Sequence, residues 1–185
     1  MAGNLRTASR RAAQLGKVSV EAVNASASNL EELLAGLLHL HRARWHERGE
    51  QGVLEDRTVR AFHREAARGL HARGALALYG LRIDGQLVST FYGFVDRQAV
   101  RYYLGGFEPA YARASVGALV VAHVLEQAQR RGAREFDFLR GREPYKYAWG
   151  AQDRPLFRLR LYRPKARAQG EEPRPAQRGL EEAPA

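Results

Sequence analysis

The sequence predicts a mixed α/β fold (α+β) in which an antiparallel meander, a crossing helix and a parallel strand form one sheet flanked by helices. Three observations predict it. Two stretches with a helical apolar period precede residue 75, the period changes to two from Ala75 to Leu104, and a further apolar helix then separates this meander from another strand. A strand, helix and strand in that order make a right-handed crossover, which renders the strand pair parallel and sets the helix on one face of the sheet.

Residues 1–27 are basic and free of acids as far as Val20, lack the apolar block of a secretory signal, and read as a flexible N-terminal segment. Ser28 and Glu31 form a capping-box pattern that opens a helix from about Asn29 to His46. Its apolar face holds Leu30, Leu33, Leu34, Leu37, Leu38 and His41. Asp56 caps a second helix over 57–72, with Val59, Phe62, Ala66 and Leu70 inward and Gly74 as its left-handed stop. Strands 75–83 and 86–95 meet at Asp84-Gly85, a hairpin signal, and a third strand covers 99–104 before Gly105-Gly106 breaks it. A helix follows from Ser115 to about Arg131, presenting Val116, Leu119, Val120, Val124 and Ala128, and Gly132 ends it. A strand over 134–139, a polar aromatic loop and a last strand over 156–161 complete the order. The folded domain thus spans 28–163, and residues 164–185, without apolar periodicity, read as a disordered tail.

At 185 residues, 45% hydrophobic and 27% charged, the chain is long enough for one sizeable core. The absence of cysteine removes disulfides, thiolate metal sites and a cysteine nucleophile, and is compatible with the reducing cytoplasm expected as its location. No apolar run approaches the roughly 20 residues that span a bilayer. His39, His41 and His46 are not spaced to share one helical face, so no metal site is expected. The formal net charge of +10 is almost all arginine, and such a surface draws anions: nucleic acid, anionic lipid or phosphorylated small molecules.

Two stretches carry the chemistry. The helix start at Ser115, Val116, Gly117 and Ala118 offers free amides and the positive end of a dipole, which suits a pyrophosphate; it equally suits a simple N-cap with a packing glycine. The second stretch, Arg134–Gly150, empties a strand into a loop dense with charge. Glu143 and Lys146 are spaced to pair, either as an ion pair fastening the loop or as groups with shifted proton affinity that serve amine attack. Lys146 is one of only three lysines, with Lys17 and Lys165, in a chain that otherwise writes arginine.

The run FDFLRGREPYKYAWG, with LHRARWHERGEQGVL and YYLGGFEPAYARASVG upstream, resembles the C-terminal part of CelD-like proteins of the GNAT acyltransferase superfamily. The resemblance implies an N-acyltransferase that moves an acyl group from acetyl-CoA or another acyl-CoA, without a metal, to a small-molecule, sugar or peptide amine, with a link to exopolysaccharide or cell-envelope synthesis. It places the donor's pyrophosphate at Ser115, Val116, Gly117 and Ala118, and its pantetheine arm near Tyr103, Leu104 and Gly105. Where the usual turn has a basic or Gln residue and two glycines, this one has Arg113 and Gly117. Lys146 or backbone amides would hold the oxyanion, Glu143 or a water chain would take the proton, and Asp137 and Arg140 would position the acceptor. The YK-xx-WG segment also resembles the FK-xx-FG signature of FemABX aminoacyltransferases, which implies tRNA as an alternative donor. Both relatives usually carry two such halves and this chain one, which implies a homodimer, a partner half-domain or, from another class, a non-catalytic interaction module.

Overall fold

The computed structural model describes residues 2–24, 26–96 and 98–160. The chain divides into two compact units, Met1–Leu139 and Arg140–Ala185. The first contains α1 (Ala2–Leu15), β1 (Val18–Ala22), α2 (Ala27–Glu47), a 3-10 turn (Val53–Glu55) and α3 (Arg57–Ala72). It continues through β2 (Leu76–Ile83), β3 (Gln86–Val95), β4 (Ala99–Phe107), a 3-10 segment (Pro109–Ala114), α4 (Val116–Arg130) and β5 (Glu135–Asp137). Among the described residues of the second unit lies one short helix, α5 (Pro144–Ala148).

Strands β1 to β5 lie in sequence order in one sheet, antiparallel from β1 to β4, and α4 carries the chain across to a parallel β5. This is the expected meander and crossover. The β2–β3 hairpin turns at Asp84 (φ 48) and Gly85 (φ 81), both left-handed as a two-residue hairpin of matching twist requires. Asp56 caps α3 by accepting from the amides of Thr58 (2.7 Å) and Val59 (2.9 Å).

The core forms where α2 lays Leu30, Leu33, Leu34 and Leu37 against Leu76, Leu78 and Tyr92 of the sheet. Burying side chains of this size contributes roughly 1.5–3 kcal/mol each, which fixes α2 on the meander. The contact is close because β4 carries Gly106: a Cβ there would lie 2.3 Å from the His41 nitrogen and 2.4 Å from the Leu40 carbonyl carbon. Gly105 and Gly106 therefore do not break the strand as expected. They remain paired, with Phe91 and Thr90, and let helix backbone approach strand backbone.

Several local expectations are corrected. Residues 1–27, expected to be flexible, include α1 and the edge strand β1, paired with β2 from Val18↔Ile83 to Ala22↔Tyr79. Small residues four apart, Ala8 and Ala12, are the buried face of α1, and a face without large side chains leaves little periodic signal. The capping box does not form: α2 starts at Ala27, the Ser28 hydroxyl meets that of Ser26, and Glu31 pairs with Arg68 at 2.8 Å. On α3 Val59 and Leu70 pack against the core as expected, but between them the buried residues are His63 and Ala67 in place of Phe62 and Ala66. Phe62 is 64% exposed while His63 is 5% exposed, because Ala67 and the His63 ring, edge-on to Tyr92 at 5.7 Å, fit closest to the sheet. Over 156–160 the chain has no strand element, only an isolated bridge at Phe157. Leu161 and the expected tail, 164–185, lie outside the described residues.

Candidate functional site

Strands β4 and β5 pair over only three positions, Ala99↔Glu135, Val100↔Phe136 and Arg101↔Asp137. β4 runs on to Phe107, so residues 102–107 are bonded to β3 along one side and have no strand partner along the other among the described residues. In an antiparallel ladder successive residues alternate the direction of their polar groups. Because the Glu108 amide donates to the Val88 carbonyl (2.9 Å), Gly106 and Leu104 face β3, and Gly105 and Phe107 turn their N–H and C=O to the unpaired side.

A bulge sits in the same stretch. Gly93 pairs with Tyr102 and Tyr92 with Leu104, which leaves Tyr103 as the extra residue on β4. Tyr102 stacks on Phe91 with ring centroids 4.7 Å apart. Its hydroxyl would lie 2.7 Å from a Cβ on Gly105, so glycine makes room for the phenol beside the unpaired edge. Burial pushes the Tyr102 phenol above its ordinary value and keeps it protonated.

Beyond β4 the 3-10 segment ends on Ser115, which adopts a left-handed φ of 53 and begins α4 without a side-chain cap bond. Its carbonyl accepts from the amides of Ala118 (2.9 Å) and Leu119 (3.1 Å). The amides of Val116 and Gly117 belong to the first turn, where a helix has no acceptor of its own for them. Gly117 packs against Phe107, with 3.5 Å between its Cβ position and the ring. Over that ring, 5.3 Å from its centroid, lies the guanidinium of Arg44 on α2. Arg44 Nε is buried and without a hydrogen-bond partner. Arg44 and the first-turn glycine of α4 thus both meet the ring of Phe107 at the open end of β4, an arrangement that fits an extended ligand with an anionic end.

The residues expected to bind a donor, Leu104, Gly105, Ser115, Val116, Gly117 and Ala118, all fall on this edge and helix start. Asp137 is on β5 and accepts from the Leu139 amide at 2.7 Å. In the second unit, Lys146 is 5% exposed, and its ammonium donates to the carbonyls of Arg140 (2.5 Å) and Gly141 (3.2 Å) and lies 2.8 Å from Glu143 Oε2. Those three contacts use all three ammonium protons, which makes Lys146 the clamp of its loop. The Arg140 side chain is exposed. Among the described residues no group of three His, Cys, Asp or Glu is placed to hold a metal ion.

Arg44 and Tyr102 escaped the sequence reading. Both stand inside runs quoted for the resemblance, but nothing in spacing separates Arg44 from its exposed neighbour Arg42, or Tyr102 from any aromatic of a strand. What sets them apart is their place beside the β4 edge left open where the β4–β5 pairing ends, a tertiary feature.

Comparison with known proteins agrees with the fold. Residues 1–147 match the family model of the acetyltransferase (GNAT) domain. No curated protein matches the sequence. Among solved structures, an aminoglycoside acetyltransferase from an uncultured soil metagenomic sample, in complex with sisomicin, is similar over 79% of this chain and 97% of its own, with a TM-score of 0.53 and 12% identity. A protein of Clostridium acetobutylicum described as a predicted acetyltransferase, solved with acetyl-CoA, is similar over 79% and 96%, with a TM-score of 0.58 and 11% identity. An aminoglycoside N-acetyltransferase in complex with CoA is similar over 81% and 96%, with a TM-score of 0.51 and 14% identity. At such identities these structures share the fold, while the family match covers most of the chain: it belongs to the GNAT acetyltransferase domain family.

Proposed function

We propose that the chain is an N-acyltransferase that takes the acyl group of acetyl-CoA or another acyl-CoA and passes it to the amine of a small molecule. The observation that carries this reading is the unpaired edge of β4 running into the first turn of α4. A pantetheine arm carries amides that can pair with Gly105 and Phe107 as a strand would, and a pyrophosphate can meet the Val116 and Gly117 amides and Arg44. The solved relatives whose descriptions mention CoA or acetyl-CoA support the donor.

In this reading the amine attacks the thioester carbonyl, and the tetrahedral oxyanion is held by backbone N–H on the β4 edge. The attacking nitrogen releases its proton to water, and the carbon–sulfur bond breaks. The thiolate takes a proton from Tyr102, whose burial keeps the phenol protonated, and the phenolate regains a proton from water to give the amide and free thiol. Lys146 and Glu143 are assigned to holding their loop, since each contacts the other. Asp137 and Arg140 remain candidates for positioning the acceptor.

The finer placement with CelD-like proteins and a link to envelope polysaccharide rest on the sequence resemblance, and a cytoplasmic location rests on the absence of cysteine. A second reading, aminoacyl transfer from tRNA, is favoured by the net charge of +10. The test is thiol release from acetyl-CoA in the presence of a panel of amines, read with a thiol-reactive dye. The chain has no cysteine, so the dye sees only CoA. Amine-dependent release supports acyl transfer; its absence, with salt-sensitive tRNA binding, moves the reading to the second donor.

A further inference from the structure

A cleft of about 580 Å³ opens between α3 and the sheet, lined by Phe62, His63 and Arg73 of the α3 region and by Tyr92, Phe94 and Tyr103 of β3 and β4. Its wall is a network of rings: His63 lies 5.7 Å from Tyr92 and 5.3 Å from Tyr103, and Phe94 lies 5.5 Å from Tyr103. Phe62 and Tyr103 are unusually exposed for their size, at 64% and 45%. Large rings left in water at the mouth of a cavity mark a surface built to be covered.

Two polar atoms make the cleft more than an apolar hollow. His63 Nδ1 and the Tyr92 hydroxyl are buried without hydrogen-bond partners, in residues 5% and 0% exposed. Groups left this way cost free energy that a bound polar atom recovers. Burial keeps His63 neutral, so it meets a ligand as a hydrogen-bonding imidazole and not as a cation. The one formally charged lining residue is Arg73, whose exposed side chain makes no ion pair among the described residues.

We propose that this cleft is a binding site for an aromatic carboxylate, its ring sandwiched by Phe62 and Tyr103, its carboxylate on Arg73 and a polar substituent reaching His63 and Tyr92. Aromatic walls favour a flat apolar body, and a guanidinium at the rim favours a carboxylate, which it can grip through two parallel hydrogen bonds. A polycation such as sisomicin finds no carboxylate among the residues that line it. The site stands whatever reaction the β4 edge supports, because it needs no donor.

The test is calorimetric titration of the full chain, without CoA, using 3-phenylpropionate, 3-phenylpropylamine and sisomicin as probes. Saturable binding of the carboxylate is expected, with affinity about tenfold weaker for the amine and in Arg73→Gln, the effect of one charge-assisted contact, and at least about fivefold weaker in Phe62→Ala. Both variants change exposed side chains, and a circular-dichroism melt confirms folding. Equal affinity for amine and carboxylate, no binding of the carboxylate, or binding untouched by both variants overturns the proposal.

Discussion

Replacing Gly106 by Ala should unfold the protein at markedly lower denaturant, although it adds one methyl group. That methyl would lie 2.3 Å from the His41 nitrogen and 2.4 Å from the Leu40 carbonyl carbon, and backbone atoms of a helix cannot rotate away. Relief requires α2 to lift off β4, loosening the packing of Leu33 and Leu37 on the sheet. Overpacking of a core costs about 1–3 kcal/mol, and a clash with backbone belongs at the upper end, near 3. With a urea slope of about 2 kcal/mol per molar, the midpoint falls by about 1.5 M. Gly69, inside α3, supplies a control of opposite sign. Nothing lies within 4 Å of its Cβ position, so Gly69→Ala should stabilise by about 0.5–1 kcal/mol through helix propensity alone. Urea titrations followed by circular dichroism read both. A Gly106→Ala midpoint within about 0.2 M of the parent would refute the close-approach argument.

Three further predictions follow from the site and the core. Folded His41 takes its proton only at about 4, because burial and then Arg44 disfavour the cation, whereas the unfolded chain takes it near 6.5. Between these values the unfolded state holds more protons, so stability is full above pH 6.5 and falls by up to about 3 kcal/mol as pH drops to 4; His41→Gln should flatten that slope in urea titrations at stepped pH. Lys146→Met should speed amide exchange over 141–150 at least about tenfold while acetyl-CoA affinity is kept, since charged hydrogen bonds of a loop are lost. Unaltered exchange with lost turnover would instead put Lys146 in the chemistry. Tyr102→Phe should lower kcat about 100-fold with little change in KM for the donor, as loss of a proton donor does; a shift in KM alone would deny the phenol that role.

The fold was legible in the sequence wherever a local rule decided the structure. Asp84-Gly85 fixed the hairpin, Asp56 and Gly74 bounded α3, and the change of apolar period placed the meander. Illegible parts were those decided by tertiary fit. Gly105-Gly106 read as a break because a glycine that admits a neighbouring helix looks, in one chain, like a glycine that ends a strand. Phe62 read as an inward residue because hydropathy ranks phenylalanine so, while the sheet offers a ring-lined slot that the imidazole of His63 takes instead. The stretch Ser115–Ala118, proposed to hold the donor, was visible as a helix start with small residues; the open β4 edge beside it depends on where β5 stops pairing, and no residue pattern announces that.

On the proposed reading, the β4 edge and the first turn of α4 hold an acyl-CoA. Calorimetric titration of the chain with acetyl-CoA, beside Gly117→Trp and Arg44→Gln, tests it most directly. Saturable one-to-one binding is expected, abolished by the indole that fills the first turn and weakened about tenfold by loss of the guanidinium. Absence of binding by the parent chain, or binding indifferent to both substitutions, would contradict it.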